Sequence, residues 1–173
     1  MRDLSRAREA AKELLRESKV DKPPVPVERI ARRLKAEVRY EPFDGELSGM
    51  LIREGQRVII GVNASHPRTR QRFTIAHELA HMRLHDERSP IHVDRGFPVR
   101  RRDVRSSQAV DVDEMEANGF AAELLMPGAM LEHDLEGKDP DFEDDELTRW
   151  LANRYKVSLQ AMAVRLATLR LSD

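Results

Sequence analysis

A His-Glu-x-x-His motif at residues 77–81 constrains this chain more than any other feature of its sequence. On a helix, side chains four residues apart lie on one face, so His77 and His81 can direct two imidazole nitrogens at one metal ion. Glu78 can then accept a proton from water at that ion instead of binding the ion itself. The motif therefore predicts a zinc site of the peptidase type, with one coordination position open for water and substrate.

The residues around the motif indicate that its helix is buried. Seven of them make the helix largely apolar: Phe73, Ile75, Ala76, Leu79, Ala80, Met82 and Leu84. A helix that is apolar nearly all round belongs in a core, where unpaired imidazoles and carboxylates are costly. A metal ion would supply their partner, whereas the alternative, a solvated helix with two surface histidines, does not explain the apolar surroundings.

The composition is that of a globular protein with a heavily charged surface. Of the 173 residues, 40% are hydrophobic and 35% are charged, and the formal net charge of −1 argues neither for nor against a nucleic-acid partner. Cysteine is absent, which excludes disulfides and thiolate ligands. No apolar run is long enough to span a membrane and the first residues lack a signal-peptide core, so the expected location is the cytoplasm.

The segments before the motif show helix and strand patterns. Apolar spacing predicts helices at 3–18 and 27–35, separated by a proline-rich break. Strands are predicted at 37–41, 47–52 and 56–62, with a tight hairpin turn between the last two. We expect a short antiparallel sheet, whose edge can bind an extended peptide through main-chain hydrogen bonds. The alternative is that these strands only supply core.

The residues after the motif exclude one class of zinc peptidase. Metzincins require Gly at position 84 and His at position 87, where this chain has Leu84 and Glu87. His85 lies four residues beyond His81 and shares its face. It could be a further ligand, a group that contacts a ligand, or an exposed histidine at a helix end.

Residues 86–110 are expected to form a long loop, because Pro90, Gly96 and Pro98 interrupt them. Five arginines lie in this loop: Arg95, Arg100, Arg101, Arg102 and Arg105. They could form a patch for an anionic partner or a flap over the cleft. A solvated insertion is the favoured interpretation.

A second informative segment spans residues 111–127. Acidic residues crowd its first turn, which favours a helix start, and Pro127 marks its end. Two histidines leave zinc one protein ligand short, and five carboxylates could supply it: Glu114, Glu116 and Glu123, with Asp111 and Asp113 behind them. Spacing alone does not choose among them. A helix places Glu114 and Asn118 on one side, so a ligand and its hydrogen-bond partner could come from this pair, whereas Glu116 points elsewhere.

Residues 72–81 and 114–127 together resemble the two core motifs of the ImmA/IrrE family of metalloendopeptidases. Shorter segments upstream and downstream are also similar, so the resemblance covers nearly the whole chain. In similar gluzincin-type enzymes, the distal carboxylate ligand opens a Glu-x-x-Ala-Asp/Asn segment. The resemblance therefore implies that Glu114 is the third ligand and that Asn118 supports the site through a hydrogen bond.

The resemblance also implies a function. Similar proteins are cytoplasmic, zinc-dependent peptidases that are thought to cleave a helix-turn-helix transcriptional repressor in a stress response or in control of mobile elements. The expected fold is α+β: a minimal zincin-like domain at residues 1–137, with the antiparallel sheet packed on the motif helix. Some members carry an N-terminal helix-turn-helix domain, whereas here only a short helical lead-in precedes the sheet.

Residues 138–173 are expected to form a C-terminal helical segment. Two apolar stripes within 144–169 predict a helical pair, with Ser158 as the cap of the second helix. Helix, short turn, helix is the outline of a DNA-binding motif, and the second helix offers Arg165 and Arg170. The favoured alternative is a pair that closes the domain or docks a protein.

The predicted chemistry is metal-assisted amide hydrolysis, with His77, His81 and Glu114 holding Zn²⁺ and Glu78 as general base. Four residues could stabilise the oxyanion, and the sequence does not rank them: Tyr40, His85, His92 and His133. One alternative is a metal-binding regulator that binds a protein without cleaving it, for which a glutamate at position 78 would be optional. Another is a regulator that binds DNA directly. A membrane partner is not expected.

Overall fold

The computed structural model describes residues 4–44, 47–85, 91–94, 104–137 and 145–170. In chain order, the elements in these ranges are α1 (Ser5–Glu17), α2 (Val27–Arg33), β1 (Ala36–Glu41), β2 (Gly49–Glu54), β3 (Arg57–Asn63), α3 (Arg68–Leu84), β4 (Ile91–Asp94), α4 (Val104–Leu125), α5 (Gly128–Leu135), α6 (Asp145–Tyr155) and α7 (Leu159–Arg170). Strands and helices are largely segregated along the chain, so the predicted α+β class is confirmed. No helix in these ranges is long and apolar enough to cross a bilayer.

The sheet is mixed, with the strand order β1-β3-β2-β4. β2 is antiparallel to β3, as expected, and a tight turn joins the two, where Gly55 has a φ of 60°. β2 is also antiparallel to β4, a strand that the sequence did not predict. β1, however, pairs with β3 in parallel. β1 and β2 run in opposite directions, but β3 lies between them. The antiparallel pairing expected from the sequence therefore does not extend to β1.

Part of the segment predicted as a loop, 86–110, is regular structure. Residues Ile91–Asp94 form β4 against β2, and α4 begins at Val104. Ile91 and Val93 are β-branched residues two positions apart, which favour a strand once a neighbouring strand is available for pairing. The start of α4 contains neither Gly nor Pro, so the helix extends upstream of the predicted 111–127. The rest of the predicted loop, with four of its five arginines, lies outside the described residues.

α3 carries the motif and occupies the centre of the structure. It packs against α1, α2, α4, β2 and β3, and every residue of it from Thr74 to His81 is buried. Its apolar side chains, including Ile75 and Leu79, belong to a hydrophobic cluster that also contains residues of α1, α4, α6 and α7. The prediction of a buried motif helix is confirmed.

Arg72 connects the first turns of α3 to two distant parts of the chain. Its guanidinium donates to the carbonyl oxygen of Val25 at 2.9 Å and to that of Lys156 at 3.2 Å. Val25 precedes α2, and Lys156 lies between α6 and α7. The side chain is buried, so these bonds satisfy donors that would otherwise lose their contact with water.

The predicted C-terminal helical pair is present as α6 and α7. The hydroxyl oxygen of Ser158 accepts a hydrogen bond from the backbone N–H of Ala161 at 3.1 Å, as expected of a cap. On α6, Arg154 and Tyr155 donate to the carboxylate of Asp134 on α5, at 2.7 and 2.9 Å. The division predicted at residue 137 adjoins residues 138–144, which lie outside the described ranges, and it stays a prediction.

A buried ion pair fastens α7 to α4. The guanidinium of Arg165 pairs with the carboxylate of Glu123 and donates to the carbonyl oxygen of Met126 at 3.0 Å. Both charged side chains are at most 5% exposed. Arg165, which the sequence offered as a possible DNA contact, therefore faces the interior. Packing of the helical pair on the domain is the alternative that these contacts favour.

Replacing Arg165 by alanine should destabilise the protein by about 3–5 kcal/mol, because the Glu123 carboxylate would stay buried without its cation. Arg149→Ala, at an exposed position on α6, is the matched control and should change stability by less than about 0.5 kcal/mol. Urea unfolding followed by circular dichroism measures both. Equal losses in the two variants would show that the buried pair does not hold α7 in place.

Candidate metal centre

Two imidazoles on α3 form the first half of the site. His77 and His81 lie one helical turn apart, and their Nε2 atoms are 3.1 Å from each other. Their side chains are 3% and 4% exposed, and residues of α4 contact both of them. The sequence predicted this convergence from the spacing of the motif.

Glu114 on α4 completes a triangle of donor atoms. Its Oε2 lies 3.2 Å from His77 Nε2, and its Oε1 lies 3.3 Å from His81 Nε2. Ligands of a tetrahedral zinc ion, at about 2.0–2.1 Å from the metal, are separated from one another by about 3.3 Å. Two imidazoles and one carboxylate at this spacing therefore fit a zinc ion with an open position. Their roles as ligands stay a prediction.

The charge state of Glu114 suits a cation site. Burial raises the pKa of this carboxyl group, but the hydrogen bonds and charges of His77 and His81 outweigh that effect and hold its pKa below the usual range. Glu114 is therefore ionised at neutral pH. Its side chain is 33% exposed, so it forms the solvent side of the cluster, while the two histidines form the buried side.

Asn118 forms a hydrogen bond to a histidine of the motif. Its Oδ1 lies 3.1 Å from Nδ1 of His77 and accepts the hydrogen bond. Because a proton is held on Nδ1, Nε2 of His77 is the atom that would exchange its contact with Glu114 for a bond to a metal ion. The sequence placed Asn118 one turn after Glu114 and expected it to support that residue. The structure instead brings it to His77, because α4 crosses α3 at this point.

Of the other carboxylate candidates, Glu123 has a structural role in the pair with Arg165. Glu116 and Asp113 lie beside His85, at 3.2 and 3.7 Å from its Nε2. The side chain of Asp111 lies outside the described residues. Of the four carboxylates whose side chains are described, the structure brings Glu114 to the imidazole pair, and Glu116, Glu123 and Asp113 have other partners.

The possible oxyanion donors lie in different surroundings. His85 contacts His81, with 2.9 Å between their Nδ1 atoms. The sequence left three alternatives open for His85, and this distance matches the second of them, a group that contacts a ligand. Tyr40 donates to Glu28 at 3.0 Å, and the exposed His133 lies 3.4 Å from Glu136. The side chain of His92 lies outside the described residues. The oxyanion donor stays unassigned.

Comparison with known protein families shows which family the chain belongs to. The model of the family described as IrrE N-terminal-like domain, a peptidase family, matches residues 31–167. The chain belongs to this family. The match contains both α3 and α4, and the family is typically metal-dependent. The matched residues include His77, His81 and Glu114, so the donor cluster lies within the part of the chain that the family model covers.

Comparison with solved structures supports the fold of this family member. A Mycobacterium tuberculosis transcriptional regulator is similar over 91% of this chain, with a TM-score of 0.58 and 15% sequence identity. The match spans 45% of that regulator, so this chain covers less than half of its length. At this identity the likeness shows the fold alone. A comparison with curated protein sequences gives no match.

Gly49 is a site residue that sequence reasoning missed. It lies at the start of β2, where a Cβ atom would be 2.3 Å from Cγ2 of Thr74 on α3 and 2.9 Å from the carbonyl oxygen of Gly61 on β3. The same atom would be 3.5 Å from Oε1 of Glu78, whose side chain has no exposed surface. Glycine thus lets α3 lie directly on β2 beside the Glu78 carboxylate. A glycine inside a strand, the signal of a close backbone approach, could have revealed it.

Substituting Gly49 by alanine should destabilise the family member by about 1–3 kcal/mol and displace Glu78, because backbone and helix leave no room for a methyl group. Gly119→Ala is the matched control: it lies within α4, and its nearest new contact would be an ordinary 3.5 Å to Leu4. The control should stabilise the helix by about 0.5–1 kcal/mol. Thermal and urea unfolding measure both variants. If Gly49→Ala were as stable as Gly119→Ala, the close packing of α3 on β2 would be wrong.

Proposed function

We propose that this family member is a zinc-dependent endopeptidase. One observation carries the proposal: the donor atoms of His77, His81 and Glu114 converge with zinc-like spacing, and the buried Glu78 follows the first of them on α3. Three protein ligands leave one position of a tetrahedral ion open, as in catalytic rather than structural zinc sites.

The chemistry divides between the ion and the side chains. When bound, Zn²⁺ supplies Lewis acidity, which polarises a carbonyl oxygen and makes water acidic enough to lose a proton near neutral pH. The Glu78 carboxylate takes the proton of the attacking water and delivers it to the leaving amine. The water oxygen bonds to the carbonyl carbon first, and the peptide C–N bond then breaks as the amine receives the proton. Asn118 holds His77 in the tautomer that the site needs.

We propose that the substrate enters as an extended segment along β4. In the part of the chain that the structure describes, β4 pairs with β2 along one edge only. Ile91 and Val93 on this strand are 54% and 42% exposed, so apolar side chains accompany the main-chain groups at the sheet edge. An added peptide strand would use those groups for hydrogen bonds.

The natural substrate that we propose is a helix-turn-helix transcriptional repressor, in a stress response or in control of mobile elements. The family resemblance supports this substrate. The similar solved structure is named a transcriptional regulator, which agrees with a role in transcription. The cytoplasmic location expected from the sequence stays a prediction. The inward position of Arg165 favours recognition of a protein over direct binding to DNA.

Removing a ligand should remove the metal. Zinc affinity, measured by competition with a chromophoric chelator, should fall more than about 100-fold in His77→Ala and Glu114→Ala, since even the loss of a residue behind a ligand costs about 10–100-fold. Glu132→Ala, an exposed carboxylate on α5, is the control and should bind zinc like the wild type. Wild-type affinity in a His77→Ala, His81→Ala double variant would contradict the site assignment.

Removing the base should remove hydrolysis and leave the metal in place. Glu78→Gln should bind one zinc per chain but cleave a co-incubated helix-turn-helix repressor about 10²–10⁴-fold more slowly, because no carboxylate would take the proton of water. Cleavage is followed by mass spectrometry of the repressor fragments. The substrates are the repressor proteins that are encoded nearest to the gene of this chain. Zinc binding and repressor binding without cleavage by the wild type would favour the regulator that acts by binding alone.

A further inference from the structure

The contacts of His81 continue outward beyond the proposed ligands. Its Nδ1 lies 2.9 Å from Nδ1 of His85, and Nε2 of His85 lies 3.2 Å from Oε2 of Glu116. Oε2 of Glu116 in turn lies 3.9 Å from the guanidinium of Arg6 on α1. The exposed fraction of the side chains rises along this series, from 4% for His81 to 11% for His85 and 16% for Glu116. A connected row of polar groups therefore leads from the buried site toward the surface.

The order of the donors and acceptors in this row is determined by its first member. If His81 presents the lone pair of Nε2 toward His77 and Glu114, its proton is on Nδ1. Two Nδ1 atoms at 2.9 Å share a hydrogen bond only when one of them carries the proton, so His85 accepts at Nδ1. A neutral His85 then carries its own proton on Nε2, where it donates to the Glu116 carboxylate.

We propose that His85 and Glu116 are positioning residues of the metal centre. They hold His81 in the tautomer that leaves Nε2 free for the ion, and the negative charge of Glu116, relayed through His85, makes that nitrogen a stronger ligand. The proposal rests on the zinc site described under the proposed function. In this proposal the contact between α3 and α4 also orients His81, through the side of its ring that faces away from the metal.

The two histidines of the motif are supported in different ways. His77 donates to Asn118, a neutral amide on an exposed residue. His81 donates to a partly buried imidazole whose far side meets a carboxylate. The bond from His85 to Glu116 involves an ionised partner, which makes it about twice as strong as a neutral one. That bond polarises the His85 ring and so strengthens the Nδ1 atom that accepts from His81. The His85 branch is therefore expected to contribute more to metal affinity than the Asn118 branch.

A different use of the same residues is a second metal site. Donor atoms of His85, Asp113 and Glu116 lie within 4.8 Å of one another. Two observations disfavour it: the side chain of Asp113 is 49% exposed, and the Arg6 cation already lies near the Glu116 oxygen that would bind a metal. The row that ends on Glu116 uses the closer contacts.

Two substitutions of similar volume separate positioning from packing. In His85→Gln the amide oxygen can accept from His81 and the amide N–H₂ can donate to Glu116, whereas His85→Leu fills the space without either bond. We expect zinc affinity within about threefold of the wild type for glutamine and about 10–100-fold weaker for leucine. Asp113→Asn is the control and should leave affinity unchanged. Equal affinities in the two His85 variants would overturn the proposal.

Nitrogen NMR of the zinc-loaded wild type gives a second measurement that needs no variant. The ring nitrogens should report a proton on Nδ1 of His81 and on Nε2 of His85. A proton on Nδ1 of His85 would overturn the proposal.

The zinc content provides a further check. Two zinc ions per chain in the wild type, with the second one lost in Asp113→Asn, would also overturn the proposal, because that result would establish the second metal site. A wild type that binds no zinc would instead remove the proposed function itself.

Discussion

The approach of Glu114 to two buried imidazoles is the contact on which the rest of the structure depends. Polar groups in the middle of a buried helix are costly unless they are paired, and His77 and His81 lie where α3 is fully covered. A carboxylate from α4 provides charge and leaves three donor atoms about 3.1–3.3 Å apart. This spacing suits a shared cation. The same three side chains therefore compensate one another's burial and can bind a metal ion.

α4 is the element that makes this contact possible, and contacts in its middle and near its C-terminal end hold it in place. Glu114 and Asn118, near the middle, face α3, while Glu123, near the C-terminal end, pairs with Arg165 of α7 in the interior. One helix thus carries a carboxylate for the site and another for docking the C-terminal pair. On the opposite side, Gly49 lets α3 lie on β2. The site is positioned by packing on both faces of α3 rather than by loops.

Much of the site follows from local rules in the sequence. The i, i+4 spacing predicted the convergence of His77 and His81. Spacing left several acidic residues open as the third ligand, and the family resemblance pointed to Glu114. What could not be predicted depends on tertiary pairing. The partner of Asn118 follows from how α4 crosses α3, and the burial of Glu123 depends on an arginine 42 positions away. The strand β4 and the parallel pairing of β1 likewise need neighbours that no local pattern specifies.

X-ray absorption at the zinc edge of the metal-loaded wild-type protein tests the ligand set most directly, because it counts and types the atoms around the ion without any substitution. The geometry predicts two imidazole nitrogens, one carboxylate and one or two further light atoms, all at about 2.0–2.2 Å. Three imidazoles around the ion would mean that His85 is a ligand rather than a support of His81. A shell of oxygens alone would mean that the metal binds elsewhere and that α3 does not hold it.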